Sequence, residues 1–95
     1  MPVGIRLKFD GGTQAQYDAA HSVMNIENDP PAGLLVHSAG PIDGGWGVID
    51  FWESRDAFDR FTQARLMPQL HGLGDRGFPN PPDVKDFPVA NLLIV

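Results

Sequence analysis

Apolar residues recur along this chain at two spacings, every second residue in some segments and every third or fourth residue in others. The segment from Val3 to Phe9 alternates apolar side chains with Gly4, Arg6 and Lys8, which predicts a first strand with an apolar face and a basic face. Thr13 is the expected N-cap of the helix that follows. The apolar stripe of this first helix comprises Tyr17, Ala20, Val23 and Met24.

The next predicted elements are two strands joined by a tight turn. Gly33 to Gly40 is the predicted second strand, and Pro41 to Gly45 has the proline, aspartate and glycine content typical of hairpin turns. We therefore expect the second and third strands to be antiparallel neighbours. One face of the third strand carries Trp46, Val48, Asp50 and Trp52. The other face carries Ile49 and Phe51. Because both faces are largely apolar, we expect this strand to be covered on both sides.

A second helix is predicted directly after the third strand. Ser54 supplies an N-cap hydroxyl, and Asp56 places a negative charge in the first turn, where the helix dipole favours it. Pro68 is expected to end or kink the helix near its last turn, and Gly72 and Gly74 are expected to stop it. The apolar stripe of this helix comprises Phe58, Phe61, Ala64, Leu66 and Leu70.

The last part of the chain is a glycine- and proline-rich segment followed by an apolar one. Gly72 to Pro82 has no periodicity and is interpreted as a loop, which either simply connects two elements or covers the mouth of a pocket. Val84 to Val95 is the predicted final strand, with Pro88 at or near its start. Because the chain is nearly all apolar from Val89 onward, we expect this strand to be buried in a subunit interface.

The order of the predicted elements is β-α-β-β-α-β over a single domain, residues 1–95. This is the α+β, ferredoxin-like pattern, in which a four-stranded antiparallel sheet carries two helices on one face. The sequence contains no third helix to cover the other face of the sheet. We therefore expect a homodimer through the open sheet face, in which the sheets of two subunits meet face to face.

Composition and charge narrow the classes of partner. The formal net charge of −5 argues against nucleic acid and against an anionic membrane, because both require a basic surface. The chain has no cysteine, which excludes a disulfide framework, a thiolate zinc site and a thiol nucleophile. It also has no secretory signal at its start and no apolar run of the ~20 residues needed to span a membrane. A cytoplasmic location is the expectation.

Two short motifs resemble a known superfamily. The corner from Phe51 to Phe58, FWESRDAF, resembles the "WeS.eaf" signature of the dimeric α/β-barrel superfamily, which includes the antibiotic-biosynthesis-monooxygenase-like proteins. The segment from Leu66 to Leu70, LMPQL, is similar to the end of the second helix in that group. The resemblance implies a barrel-like dimer with a pocket between sheet and helices in each subunit. Its members include cofactor-free oxygenases of aromatic polyketides, haem-degrading enzymes, isomerases and proteins without an assigned activity.

Three residues are candidates for proton transfer. His37 lies in an otherwise apolar strand and could face a pocket as a general base, or it could be a structural histidine of the core or interface. Asp50 lies on a strand expected to be buried, where a carboxylate needs a partner. The two residues are on neighbouring strands and could meet, although Arg6 or Lys8 could instead pair with Asp50. His71, after the second helix, is the third candidate.

The candidate ligand-binding residues are aromatic, and they are Tyr17, Trp52, Phe58 and Phe61. Such side chains suit a flat aromatic ligand, but they also pack in hydrophobic cores and dimer interfaces. His21 on the first helix is interpreted as a surface residue. The three histidines have no spacing typical of a metal site, and no glycine-rich nucleotide motif is present. The sequence therefore predicts no metal and no cofactor.

Two functions of different classes remain open. The first is a cofactor-independent monooxygenase or related enzyme, in which His37 or His71 removes a proton from an aromatic or polyketide-like phenol or enol and the carbanion reacts with oxygen. The second is a non-catalytic, dimeric small-molecule-binding or stress-associated module. Haem degradation is less favoured. The resemblance would require for it a helix-2 tryptophan and a strand-1 asparagine beside His71, and Phe61 stands at the first position while strand 1 has no asparagine.

Overall fold

A computed structural model describes residues 1–95 and contains four strands and two helical regions. The elements are, in chain order, β1 (Val3–Asp10), α1 (Gln14–Met24), β2 (Leu34–Ile42), β3 (Gly45–Trp52), α2 (Arg55–Phe61), a π turn (Thr62–Leu66), α3 (Met67–Leu73), a 3₁₀ turn (Gly74–Arg76) and β4 (Asp83–Pro88). Because α2, the π turn and α3 follow one another without a gap, they form one helical region. The predicted βαββαβ order is therefore confirmed.

The four strands form one antiparallel sheet in the order β2-β3-β1-β4. Its inner face packs against the helical layer and supplies most of the buried apolar residues. These are Val3, Ile5, Leu7, Phe9, Trp46, Val48 and Trp52 from the sheet and Met24, Ala57, Phe58 and Leu66 from the helices. The structure is thus the ferredoxin-like α+β arrangement, with both helical regions on one side of the sheet.

Both helical regions begin at the predicted caps. The Thr13 hydroxyl accepts a hydrogen bond from the backbone N–H of Gln16, and the Gln16 side chain accepts one from the N–H of Thr13, which completes a capping box. The Ser54 hydroxyl accepts from the N–H of Ala57. The predicted stripe of α1 is only partly correct, because Val23 is exposed while its neighbour Met24 is buried.

Pro68 was expected to end or kink the second helical region, and the structure shows that the helix does not end there. Pro68 lies in the first turn of α3, which continues to Leu73, and Gly74 caps it. The turn before it is wider, and the N–H of Met67 donates to the carbonyl of Thr62. A proline ring inside a helix collides with the carbonyl four residues earlier. The wider π turn accommodates Pro68 without ending the helix.

The final strand is shorter than the sequence predicts. It ends at Pro88, the residue that was expected at or near its start. β4 covers Asp83–Pro88, and the chain after it has no regular structure. The physical reason is the length of its only neighbour. Pro88 pairs with Val3, the first residue of β1, so the sheet offers no further partner beyond that point. Val89 makes one last hydrogen bond to the carbonyl of Pro2 and is buried.

The outer face of the sheet has no cover within the chain. Val36, Ile42, Ile49, Phe51 and Phe87 lie on this face, at positions that alternate with the core residues. Ile49 and Phe87 are 50% and 52% exposed. Phe87 crosses the strand pair above Gly4, where a side chain would overlap its ring, and meets Phe51 edge to face at 6.4 Å. Within one chain β3 is therefore covered on one side only.

Candidate functional site

A cavity lies between the inner face of the sheet and the helices. Seventeen residues line it, and fourteen of them are hydrophobic. Its volume is about 60 Å³, and all the empty space around it, open solvent included, amounts to about 580 Å³. An apolar cavity of about 150 Å³ binds benzene in another protein. The cavity is therefore smaller than one that encloses a whole aromatic ring, and a planar ligand would extend into the open space beside it.

Asp50 and His37 meet at the wall of this cavity. The two residues are directly paired in the ladder between β2 and β3, and His37 Nδ1 lies 2.7 Å from Asp50 Oδ1. Asp50 is 5% exposed, whereas the His37 side chain is 23% exposed. Because an ionised carboxylate only accepts hydrogen bonds, His37 carries its proton on Nδ1 and presents the lone pair of Nε2. The alternative partners of Asp50 are engaged elsewhere, since Arg6 pairs with Asp83 and Lys8 with Asp10.

A bulge in β2 brings His37 into this position. Leu34 pairs with Trp52, but Val36 pairs with Phe51, so the intervening Leu35 is an extra residue without a partner. Without this extra residue, the register of Leu34 and Trp52 would place Val36 opposite Asp50. His37 would then point to the outer face of the sheet, because successive strand residues alternate between faces. The bulge therefore turns His37 inward, as bulges near functional sites commonly do.

Tyr17 extends this pair toward the helical layer. Its hydroxyl Oη lies 2.7 Å from His37 Nε2, and its ring stacks on Trp46 with the centroids 5.2 Å apart. Because Nε2 of His37 offers a lone pair, the Tyr17 hydroxyl is the donor in this contact. Tyr17 is half-buried in the cavity wall, so its oxygen remains next to the space that a ligand would occupy.

A second histidine reaches the same hydroxyl. His21 Nδ1 lies 3.2 Å from Tyr17 Oη, and its Nε2 lies 2.9 Å from Glu27 Oε1. His21 is half-buried rather than on the surface as predicted, and its contact with Tyr17 was not expected. The spacing of Tyr17 and His21 carried a usable signal, because residues four apart lie side by side on a helix. No sequence pattern pointed to Glu27, which lies beyond the left-handed residue Asn25 that ends α1.

The surroundings of Tyr17 make its proton hard to remove. Burial in the cavity wall raises the pKa of Tyr17 above its usual 10.0, and the negative charges of Asp50, Glu27 and Asp18 raise it further. The hydroxyl therefore stays protonated under ordinary conditions. It acts as a donor to one histidine while its oxygen can accept from a second group. A neutral hydroxyl between two imidazoles can pass a proton on without becoming charged.

The other wall of the cavity is aromatic. Trp52, Phe58 and Phe61 all line it, with the ring of Trp52 5.7 Å from Phe58 and 5.2 Å from Phe61. The structure thus brings together six of the seven predicted site residues: Tyr17, His37, Asp50, Trp52, Phe58 and Phe61. Trp52 is fully buried, and its indole N–H has no hydrogen-bond partner. An unpaired buried donor is costly and suggests an acceptor supplied by a ligand or water.

His71 does not join this cluster. It is exposed and lies on a separate surface depression formed by α3 and the Phe78–Pro82 segment. A haem would require a histidine nitrogen that is free to bind iron inside the main cavity. Both nitrogens of His37 are hydrogen-bonded, and in His21 Nε2 is bonded to Glu27 while Nδ1 faces the Tyr17 hydroxyl. These residues do not fit a haem, and no cluster of three or more potential metal ligands occurs in the structure.

The fold was compared with known proteins. No family model and no curated protein sequence matches the chain. An antibiotic biosynthesis monooxygenase aligns with 96% of this chain and 100% of its own, with a TM-score of 0.62 and 14% identity. SnoaB, a cofactor-independent oxygenase from Streptomyces nogalater, aligns over 97% and 95% of the two chains with a TM-score of 0.63 and 16% identity. MhuD, in a structure with two manganese protoporphyrin IX molecules bound per active site, covers 100% of both chains with a TM-score of 0.59 and 18% identity.

These likenesses define a structural class. The chain has a ferredoxin-like α+β fold, and its structural neighbours over nearly its whole length include an antibiotic biosynthesis monooxygenase and a protein of unknown function from Nitrosomonas europaea. The fold implied by the resemblance in the corner at Trp52 is therefore confirmed. At identities of 14–18% the likeness is one of fold and leaves the activity open. No helix of the protein has the length and apolar character required to cross a bilayer.

Proposed function

We propose that the protein is a cofactor-independent oxygenase that removes a proton from a small planar phenol or enol and exposes the resulting anion to oxygen. The observation that carries this proposal is the hydrogen-bonded series Tyr17–His37–Asp50 at the wall of an otherwise apolar cavity. Such a series combines a base with a residue that orients it and stabilises its charged form. The shared fold with SnoaB, a cofactor-independent oxygenase, adds support.

The geometry suggests how the proton leaves the ligand. The Tyr17 hydroxyl is hydrogen-bonded to His37 Nε2 and so occupies the lone pair of that nitrogen. The ligand therefore meets Tyr17 Oη, which accepts its proton while the hydroxyl proton passes to His37 Nε2. The carboxylate of Asp50 stabilises the imidazolium that forms. Tyr17 is thus the residue that contacts the ligand, and His37 is the base that receives the hydroxyl proton from Tyr17.

The apolar wall suggests how the anion is held. Trp52 has an unpaired indole N–H in a residue that lines the cavity, and this donor suits the oxygen of a phenolate or enolate. The phenylalanine rings exclude water and accept a flat ligand. In the net reaction a CH₂ carbon of the ligand and O₂ give a carbonyl and water. One oxygen atom enters the ligand, and the other leaves with the two hydrogens.

A binding module without chemistry is the alternative of another class. An apolar pocket without inward polar groups would favour it, but Tyr17, His37 and Asp50 all line this cavity. A haem-degrading role is less favoured, because His71 lies outside the cavity and the two histidines within it are engaged.

The decisive experiment is an oxygen-uptake assay with a phenol, a naphthol and anthrone, which offer acidic hydrogens on one, two and three rings. We expect oxygen consumption with matching product mass for at least one of these compounds, and loss of that activity in Tyr17→Phe. Binding of these compounds without oxygen uptake would replace the enzyme with the binding module. The same measurements with added haem test the haem-degrading alternative.

The proposal includes a homodimer through the outer face of the sheet. This face carries an apolar patch that includes Ile49 and Phe87, each about half exposed. Apolar patches on a sheet without a helical cover are typical of interfaces, and two such sheets can pack face to face. A dimer would also cover the second side of β3, as expected from its sequence.

A further inference from the structure

We infer that His21 and Glu27 form an exit path that carries the ligand's proton from Tyr17 to solvent. This inference rests on the proposed function, since it concerns what happens to the proton after it leaves the ligand. It uses two residues that the reaction at Tyr17, His37 and Asp50 does not require. The geometric basis is a continuous series of five side chains that begins at a buried carboxylate and ends at an exposed one.

The distances along the series are all within hydrogen-bond range. From the inside outward they are 2.7 Å for Asp50–His37, 2.7 Å for His37–Tyr17, 3.2 Å for Tyr17–His21 and 2.9 Å for His21–Glu27. The three rings lie nearly parallel, with interplanar angles of 27° for Tyr17–His21 and 14° for Tyr17–His37. The series runs from Asp50, which is 5% exposed, to Glu27, whose side chain is 78% exposed.

The hydrogen-bonding capacities of these groups give the path a direction. The carboxylate of Glu27 only accepts, so His21 holds a proton on Nε2 and turns the lone pair of Nδ1 toward the Tyr17 hydroxyl. The single hydroxyl proton of Tyr17 therefore has two imidazole acceptors. It donates to His37 in the resting state, which is the shorter contact, and His21 is the second acceptor.

The return of the proton follows these contacts and balances. After catalysis His37 is an imidazolium with protons on both nitrogens. Its Nε2 proton moves to Tyr17 Oη while the hydroxyl proton moves to His21 Nδ1. His21 then releases its Nε2 proton to Glu27 and from there to water. Overall, one proton leaves the ligand and one reaches solvent, and the series is ready once His21 regains its resting tautomer.

The charges around the path fit this assignment. The carboxylate of Glu27 lies beside His21, and that of Asp50 lies beside His37 at the other end. Arg65, the nearest cation of the helical layer to the end of α1, is bonded to the Met24 carbonyl and faces Asp29 instead. Each histidine in the series thus has its own carboxylate, and Tyr17 is the neutral link between two groups that can each hold the proton.

Two variants and one control test the path. His21→Phe keeps a ring stacked on Tyr17 but removes both nitrogens, and Glu27→Gln removes only the terminal charge. Glu53→Gln is the matched control, since Glu53 is the only other glutamate, is also exposed, and lies outside the series. The resting protein is studied by NMR, which measures how fast the Tyr17 hydroxyl and His37 ring protons exchange with solvent. This measurement needs no substrate and no turnover.

We expect slower exchange in His21→Phe and Glu27→Gln than in the wild type and in Glu53→Gln. In the oxygen assay kcat should fall in both variants, but by less than the 10²–10⁴-fold typical of the loss of a direct acid–base group. The KM of Glu27→Gln should stay constant, and its solvent deuterium effect on kcat should grow. Unchanged or faster exchange would overturn the inference. If proton exchange is slower in both variants but the wild type oxidises none of the compounds, only the proposed function is refuted.

Discussion

His37 and Asp50 face each other across β2 and β3, and the Nδ1 and Oδ1 atoms lie 2.7 Å apart at the wall of the cavity. The contact depends on Leu35, whose extra position shifts the register by one residue. A buried carboxylate without a partner would be unfavourable, so the histidine both satisfies Asp50 and is oriented by it. The proposed chemical role of the site and the stability of this part of the sheet therefore depend on the same pair.

The first prediction concerns the base itself. His37→Ala should lower kcat/KM for an oxidised phenol or enol by about 10²–10⁴-fold, because the variant lacks the imidazole proposed to take up the proton. Asp50→Asn should lower it as well, since the imidazolium would lose its carboxylate. Steady-state oxygen uptake measures both effects. His71→Ala is the histidine control and should match the wild type, and equal losses in His37→Ala and His71→Ala would contradict this assignment.

The second prediction concerns the single tyrosine. Since Tyr17 is the only tyrosine, the ultraviolet absorbance of tyrosinate reports on this residue alone. We expect its pKa above 10.0, and a lower value in Asp50→Asn because one of the raising charges is removed. Burial is the larger cause, so the pKa should stay above its usual value. A midpoint at or below 10.0 in the wild type would contradict the half-buried position of Tyr17.

The same shift has a consequence for folding, with a definite sign. A tyrosine whose folded pKa is raised holds its proton longer in the folded chain than in the unfolded chain. Its contribution to stability is therefore complete below the unfolded pKa of about 10 and is lost as the pH rises through the folded pKa. Chemical denaturation at increasing alkaline pH should show this decline in the wild type. Tyr17→Phe should show a smaller decline over the same interval.

The third prediction concerns the unpaired indole of Trp52. Trp52→Phe removes the N–H but keeps an aromatic ring, so ligand binding should weaken by about 1 kcal/mol, or about fivefold, if the indole donates to the ligand's oxygen. Calorimetric titration with a bound phenol measures this change. Trp46→Phe is the matched control, because Trp46 is also buried with an unpaired N–H but does not line the cavity. Equal weakening in both variants would speak against a direct contact.

The fourth prediction concerns the outer face of the sheet. Ile49→Lys adds a positive charge to this face directly opposite Arg6 and should convert the proposed dimer into a monomer, because an added charge that lies opposite a like charge and has no partner cannot be buried there. Light scattering after size-exclusion chromatography measures the mass. Val23→Lys is the control, since Val23 is similarly apolar and 39% exposed but lies on α1. A wild-type protein that is monomeric would remove the interface altogether.

The fifth prediction concerns the backbone before β2. Gly33 has a φ of +92°, and a Cβ at this position would lie 2.6 Å from the Cβ of Ala57. Gly33→Ala should therefore lower the free energy of unfolding by about 2–4 kcal/mol through backbone strain and overpacking together. Gly40→Ala is the control, because a side chain there meets nothing within 4 Å. Urea denaturation compares the two, and equal stability would show that the loop can relax.

The fold was largely readable from the sequence because its signals are local. Thr13 and Ser54 are followed by helices whose caps they form, and the Asp43-Gly44 pair closes the hairpin between β2 and β3. The errors occurred where a distant partner decides the outcome. β4 ends at Pro88 because β1 offers no further residue, and the helix passes Pro68 because a π turn makes room for it.

Most of the candidate residues that line the cavity were named from the sequence, but their arrangement was not. His37 and Asp50 were candidates by residue type and neighbouring strands, yet only the bulge at Leu35 decides that they share a face. The contact of His21 with Tyr17 follows from helical spacing, but its partner Glu27 depends on the path of the chain after Asn25. Three-dimensional register and loop direction are non-local properties, and no periodicity in the sequence reports them.

The cavity takes its two walls from different halves of the chain. The proton-handling groups all lie between Tyr17 and Asp50, whereas Phe58, Phe61, Leu66 and Leu70 come from the second helical region. Substitutions in that helical region can reshape the space offered to a ligand without disturbing a single hydrogen bond of the reactive series. Reactivity and substrate range can therefore diverge independently in descendants of this chain, which gives one small domain a simple route to new ligands.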